Sequence, residues 1–223
     1  MFDRIARLYD RMNSVMTAGL HHVWRRRAVD LAAVGPGDEA LDVATGTGDL
    51  ALELARRVAP GGRVVGCDFS EAMLDVARDK ARGHDEGVTM SFESGNALAL
   101  PYADGAFDAV TVGFGVRNFA ELDRGLSELA RVVRPGGRVV ILEITTPTKP
   151  PLSWFFRVWF DRIVPALGRL AGDSAAYSYL PSSVRRFPAP EALAARLAAA
   201  GLSEIRYVLT AQGIIALHVG RKA

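Results

Sequence analysis

The chain has 223 residues, 49% of them hydrophobic and 23% charged, with a formal net charge of +2. That balance fits one large folded domain with appendages and excludes a disordered chain, and the charge is far from the dense basic stripe of a phosphate-tracking protein, so no nucleic acid partner is expected. A single cysteine, Cys67, leaves no internal disulfide and no metal cluster, so no metal is expected, and neither a signal peptide nor an apolar run of membrane-spanning length is present. A cytoplasmic protein fits best.

Phe2, Ile5, Tyr9, Met12 and Met16 recur at spacings of three and four, the stripe of a packed helix. Tyr9, Asp10 and Asn13 set polar groups beside it, so a lid over a ligand and plain packing both remain open. His21 and His22 are adjacent and face about 100° apart on a helix, which prevents them from sharing a metal. With Trp24 and Arg25-Arg26-Arg27 they read as a solvated helix face. Gly35-Pro36-Gly37-Asp38 ends this region.

A regular rhythm follows: strand 39–44, helix 49–58, strand 63–67, helix 70–81, strand 89–93, strand 107–112, helix 122–133 and strand 138–144. Alternation of this kind implies a parallel sheet covered on both faces. Ser70 reads as an N-cap, and Pro60-Gly61-Gly62 and Pro135-Gly136-Gly137 read as turns from helix back to strand. From Thr146 to Pro188 prolines and aromatic residues break the rhythm, as in an insertion over the ligand end of the sheet. Pro190–Ala200 is a helix closed by Gly201, and strands 204–209 and 214–219, turning at Gln212-Gly213, must be antiparallel.

The chain is organised around Leu41–Leu50, an apolar strand end, a glycine loop and a helix start. Gly46 and Gly48 let a ligand lie against the backbone, and the helix from Asp49 aims its free amides into the same space. Gly46-x-Gly48-x-x-Ala51 with Asp68 about 20 residues further on also fits a dinucleotide fingerprint. Asp42 beside the loop, however, would repel a pyrophosphate and favour a sulfonium and ammonium. Asp68 suits the ribose hydroxyls of either ligand.

The terminal antiparallel hairpin resembles the α/β, Rossmann-like, seven-stranded class I fold of S-adenosylmethionine-dependent methyltransferases, a parallel sheet with a C-terminal antiparallel hairpin. Gly95-Asn96-Ala97, Asp104-x-x-Phe107-Asp108 and Arg134-Pro135-Gly136-Gly137 extend the likeness. Further motifs are Phe2-Asp3-x-Ile5-Ala6-x-x-Tyr9-Asp10-x-Met12-Asn13, Gly113-Phe114-Gly115-Val116-Arg117-Asn118, Tyr177-x-Tyr179-Leu180-x-x-Ser183-Val184 and Gly213-Ile214-x-Ala216-Leu217-His218. By these the chain resembles the menaquinone and ubiquinone biosynthesis C-methyltransferase family over practically its whole length.

The resemblance implies a single methyltransferase domain, 1–223, with an N-terminal helical lid, 1–34, and a substrate-side insertion, 146–188. It implies S-adenosylmethionine held by Asp42, Gly46, Thr47, Gly48, Asp68, Asn96, Ala97 and Gly113, where many members carry Ser at the last position. It also implies C-methylation of a polyprenylated quinol, with Arg117, Asn118 and Tyr9 as catalytic residues. Arg117 would stabilise a phenolate and orient a water; the plainer alternative pairs it with Glu121, four residues on. Trp154–Phe160, with Arg157 and Arg162, would contact the polyprenyl tail or the inner face of the membrane, or simply close the core. A homodimer is allowed. Arg- and Ala-rich usage suggests a GC-rich bacterial genome and hence demethylmenaquinol as substrate. The alternatives are a benzoquinol of the ubiquinone pathway, another lipid or small aromatic, an NAD-dependent oxidoreductase, or a non-catalytic binding protein.

Overall fold

The computed structural model describes residues 14, 17, 19–83, 87–147, 150–158 and 181–223. The Phe2–Asn13 and Tyr177–Leu180 motif residues, including Tyr9, lie outside these, as do Met16, Trp159, Phe160, Arg162 and much of the expected lid and insertion.

Helix α1 (Leu20–Ala32) buries His21, Trp24, Arg25, Ala28, Val29 and Ala32 while His22 and Arg26 are exposed. This corrects the solvated-face reading of residues 21–27: His21 is buried and His22 exposed, although their rings lie 3.9 Å apart, centroid to centroid. The helix leads to β1 (Glu39–Val43), α2 (Asp49–Val58), β2 (Arg63–Asp68), α3 (Glu71–Ala81), β3 (Thr89–Ser94) and β4 (Phe107–Gly113). Ser70 caps α3 as expected, its Oγ accepting from Met73 N at 3.4 Å.

A short 3₁₀ turn (Val116–Asn118), α4 (Leu122–Val132), β5 (Val133–Ile144), α5 (Leu152–Val158), α6 (Pro190–Ala199), β6 (Leu202–Thr210) and β7 (Ile215–Lys222) follow. The seven strands form one sheet in the order β3-β2-β1-β4-β5-β7-β6. The first five run parallel, and β7 pairs antiparallel with both β5 and β6. Strand β5 starts earlier than the Pro135-Gly136-Gly137 turn suggests. Val133 already pairs with Phe107, the register then shifts, and Arg138 pairs with Ala109, so the turn is an excursion within the strand.

Two apolar layers hold the sheet. On one face Trp24, Ala28, Leu54, Val58 and Leu74 of α1 to α3 pack on Val64, Val140 and Leu217. On the other, Leu126, Leu129, Leu193 and Leu197 of α4 and α6 pack on Leu41, Val65 and Ile141. Strands buried on both faces explain why β1 and β4 read as continuous apolar runs. Each fully buried Leu contributes about 1.5–3 kcal/mol. The consequence for function is positional: the chain leaves β1 toward β2 on one side and returns to β4 on the other, and such a switch point opens a crevice at the carboxyl ends of the strands.

Candidate functional site

The loop after β1 faces that crevice. At Gly46 (φ +55) a Cβ would meet nothing within 4 Å, so its surface is open to a ligand. Gly48 (φ +82) is different, because a Cβ there would lie 2.9 Å from Ala77 Cβ and 3.1 Å from the Phe92 ring. The first glycine offers backbone and the second permits packing.

Asp68, at the end of β2 and 7% exposed, holds the loop. Its Oδ2 accepts from Gly46 N at 2.8 Å and its Oδ1 from Ser70 N at 2.9 Å. A carboxylate has about four acceptor sites, and ribose hydroxyls are donors of the kind it binds. Asp42 lies beneath the loop, 1% exposed, accepting from Thr45 Oγ1 at 2.6 Å and Thr111 Oγ1 at 2.7 Å. Burial pushes its carboxyl up to about 6, while the threonines and Arg25 pull the other way. Asp42 therefore shapes the loop from below and acts on a ligand through its field.

Asp49, in the first turn of α2, lies 3.4 Å from Arg25 of α1 and pairs with Lys80 of α3. Burial works against its charge, yet Arg25 and Lys80 hold its carboxyl below the usual range. Lys80 Nζ also donates to Thr47 Oγ1 at 3.4 Å. Arg25 packs over the Phe114 ring with its carbon 5.9 Å from the centroid, and bonds His21. Asp42 and Asp68 beside the helix N-terminus disfavour a pyrophosphate, while the Asp49 carboxylate is held by Arg25 and Lys80. The donor set suits a cationic cofactor with ribose hydroxyls, and S-adenosylmethionine fits it.

The turn after β3 brings Asn96 and Ala97 to the same edge of the sheet. Asn96 is exposed and its Oδ1 accepts from Leu98 N at 2.9 Å, a local turn bond that fixes the side chain. Phe69, directly after Asp68, is 69% exposed and offers a ring face where a base could stack. Sequence reading passed over it, although an aromatic residue directly after Asp68 was a signal. At Gly113, ending β4, a Cβ would come 3.2 Å from Leu50 Cδ2, so a Ser here would need Leu50 to yield slightly.

Beyond Gly113 the chain presses on the glycine loop: a Cβ on Gly115 would lie 2.5 Å from Ala44 Cβ. Ala44 (φ 53) and Phe114 (φ 60) are both left-handed, at about 1–3 kcal/mol each, a strain that persists where surroundings fix it. The 3₁₀ turn then sets Arg117 and Asn118 beside a cavity of about 330 Å³, whose lining includes Phe119, Leu122, Arg186 and Phe187.

Arg117 does not pair with Glu121, which instead lies 3.6 Å from Arg124. Its Nη1 meets Glu143 Oε1 of β5 at 2.6 Å, with side-chain exposures of 9% and 1%. Sequence reading missed Glu143, 26 residues away along the chain, because no local periodicity links the two.

The structure thus aligns Asp42, Gly46, Thr47, Gly48, Asp68, Asn96, Ala97 and Gly113 along the carboxyl ends of β1 to β4, with Arg117 and Asn118 one turn further on; Tyr9 is outside the described residues. A model of the ubiE/COQ5 methyltransferase family matches residues 1–222. A demethylmenaquinone methyltransferase of Thermus thermophilus is 52% identical over 221 residues, covering 99% of each chain. A ubiquinone/menaquinone biosynthesis C-methyltransferase UbiE of Hahella chejuensis is 41% identical over 224 residues, covering 100% of this chain and 90% of that one. Among solved structures, a SAM dependent methyltransferase from Aquifex aeolicus shares the fold with a TM-score of 0.65 at 18% identity, covering 89% of each chain.

Proposed function

The chain belongs to the ubiE/COQ5 methyltransferase family, and from that premise we propose that it methylates a ring carbon of a polyprenylated quinol, converting demethylmenaquinol to menaquinol with S-adenosylmethionine. The observation that carries this reading is 52% identity to a demethylmenaquinone methyltransferase along 99% of both chains. When bound, the cofactor supplies an electrophilic methyl on a sulfonium. We read residues 1–223 as one domain, with 1–34 and 146–188 flanking the site.

In this reading Asp68 takes the ribose hydroxyls, Asn96, Ala97 and Phe69 receive the base, and Gly46, Thr47, Gly48 and Gly113 form the floor. Asp42 supplies a negative field for the sulfonium and ammonium. Substituting a ring C–H by C–CH₃ releases one proton, and the carbon attacks best when the neighbouring hydroxyl is ionised. The guanidinium of an arginine stays protonated in proteins, so Arg117 is assigned to stabilising the phenolate and orienting a water that takes the proton. Asn118 and Tyr9 complete the hydrogen-bonding set.

A quinol with an isoprenoid tail reaches the site from a membrane. No helix among the described residues is long and apolar enough to cross one. Trp154 on α5 is 63% exposed, which suits surface contact with lipid or with the tail.

The test is methyl transfer from labelled S-adenosylmethionine to demethylmenaquinol and, in parallel, to a demethylated benzoquinol. Faster transfer to the naphthoquinol is expected. Transfer to the benzoquinol alone would assign the chain to the ubiquinone pathway, a reading favoured by the Hahella relative. No transfer to either, with NAD bound in calorimetry, would overturn the methyltransferase assignment.

A further inference from the structure

We propose that Glu143 is the positioning residue that holds Arg117 for the reaction; the inference rests on the reading of Arg117 given above.

Glu143 stands near the carboxyl end of β5, one strand across from the β4 end that leads to Arg117, and is 1% exposed. Its Oε1 accepts from Arg117 Nη1 at 2.6 Å and from Ile144 N at 2.8 Å, and its Oε2 accepts from Arg117 N at 3.3 Å. One carboxylate therefore ties both the tip and the backbone of Arg117 to the sheet. The carbonyl of Phe114 accepts from the same Nη1. The carboxylate is in turn fixed by the Ile144 amide and by its place in a paired strand, where Glu143 is opposite Ala216.

Arg117 Nε is buried and has no hydrogen-bond partner among the described residues. A buried donor without an acceptor is costly, and buried polar groups are satisfied in the great majority of cases. The Arg117 side chain also borders the 330 Å³ cavity with Asn118, where a substrate oxygen would meet one of its donors. The Glu143 contact makes this specific. An arginine side chain has several rotatable bonds, and a guanidinium free to turn would offer any of its donors. Anchoring Nη1 on Glu143 and on the Phe114 carbonyl selects one orientation of the planar group.

Four proteins decide the matter: the full chain, Glu143→Gln, Arg117→Ala and the double variant. Each is assayed for kcat and KM with demethylmenaquinol, and for S-adenosylmethionine affinity by calorimetry. Glu143→Gln is expected to lower kcat roughly 10–10²-fold, the scale of a catalytic group misplaced by about an ångström, with cofactor Kd within about twofold of wild type. In the Arg117→Ala background the same change is expected to cost nothing further, since Glu143 acts through Arg117. Glu143→Asp, which keeps the charge one methylene short, is expected to recover part of the loss, and it replaces Glu143→Gln in the cycle if the amide variant does not fold. Wild-type kcat in Glu143→Gln while Arg117→Ala is impaired would overturn the role of Glu143 and leave that of Arg117 standing. So would a loss of equal size in both backgrounds, which marks a general structural effect. Full turnover by Arg117→Ala would overturn both.

Discussion

Asp68→Asn separates two duties of one carboxylate, holding the glycine loop and binding a ribose. The charged group accepts from two backbone amides at once, Gly46 N at 2.8 Å and Ser70 N at 2.9 Å. An asparagine has the same shape but only one acceptor oxygen, so its NH₂ must face one of those amides donor to donor. With 7% exposure water cannot fully replace the lost acceptor, and stranding a buried donor costs about 1–3 kcal/mol. For a chain of this size that is a fall in melting temperature of roughly 2–12 °C without cofactor. The variant's weaker bond to the ribose should add a loss of S-adenosylmethionine affinity of similar free energy, about 5–150-fold. Differential scanning calorimetry of the cofactor-free protein reads the first effect and titration calorimetry the second. An unchanged melting temperature would refute the claim that Asp68 holds the loop. An unchanged Kd would refute its place in the cofactor site, whatever the stability.

Gly48→Ala, which would bring a Cβ to 2.9 Å from Ala77 Cβ at φ +82, should destabilise by roughly 2–5 kcal/mol in urea unfolding, whereas Gly46→Ala, with nothing within 4 Å, should cost about 1–2 kcal/mol of backbone strain and act mainly on cofactor affinity. His218 is 1% exposed and its Nε2 donates to the Pro190 carbonyl at 2.9 Å; burial holds its pKa below 6.5, against smaller opposing contributions from that carbonyl and Glu191. The unfolded chain therefore binds the proton first, and the His218 contribution to stability is full above pH 6.5 and is lost as pH falls. Asp42, raised to about 6, titrates with the opposite sign, so the comparison of wild type with His218→Gln between pH 8 and pH 5.5, roughly spanning that range, isolates the histidine; a constant difference between the two proteins would refute the assignment. Phe156→Ala, which empties a site 6% exposed beside Val184, should destabilise by about 3–5 kcal/mol, while Trp154→Ala should leave stability nearly unchanged and slow methylation only of long-tailed quinols. Equal slowing on tail-free quinols would remove Trp154 from tail contact.

The parallel half of the fold was legible because its signals are local. Glycine turns, Ser70 as a cap and the alternation of strand-like and helix-like stretches place β1 to β4 and α2 to α4 within a residue or two at each end. Where the sequence misled, a longer-range contact decided. The pairing of Val133 with Phe107 turns an apparent connection into strand. His21 was readable after all, since it shares a stripe with Trp24, Ala28 and Ala32, but the adjacent histidine drew the question toward metal binding. The glycine loop's carboxylates were visible as residues, yet not their division of labour. Only the fold shows that Asp42 is sealed under the loop and that Asp49 is clamped by α1 and α3. Glu143 could not be found, because a buried partner on the neighbouring strand leaves no mark in the spacing of either.

Strand β7 comes last in chain order, yet lies between β5 and β6 in the interior of the sheet. A chain emerging from the ribosome therefore completes β5 long before the strand that must cover its edge exists, and that edge, rich in Val139, Val140, Ile141 and Leu142, waits unpaired while about 70 further residues are made, at roughly 5–20 residues per second. During those seconds it is a template for any extended segment. Synthesis rather than sequence thus sets when this methyltransferase becomes safe from its neighbours, and loss of the eight residues of β7 would remove an interior strand instead of trimming a tail.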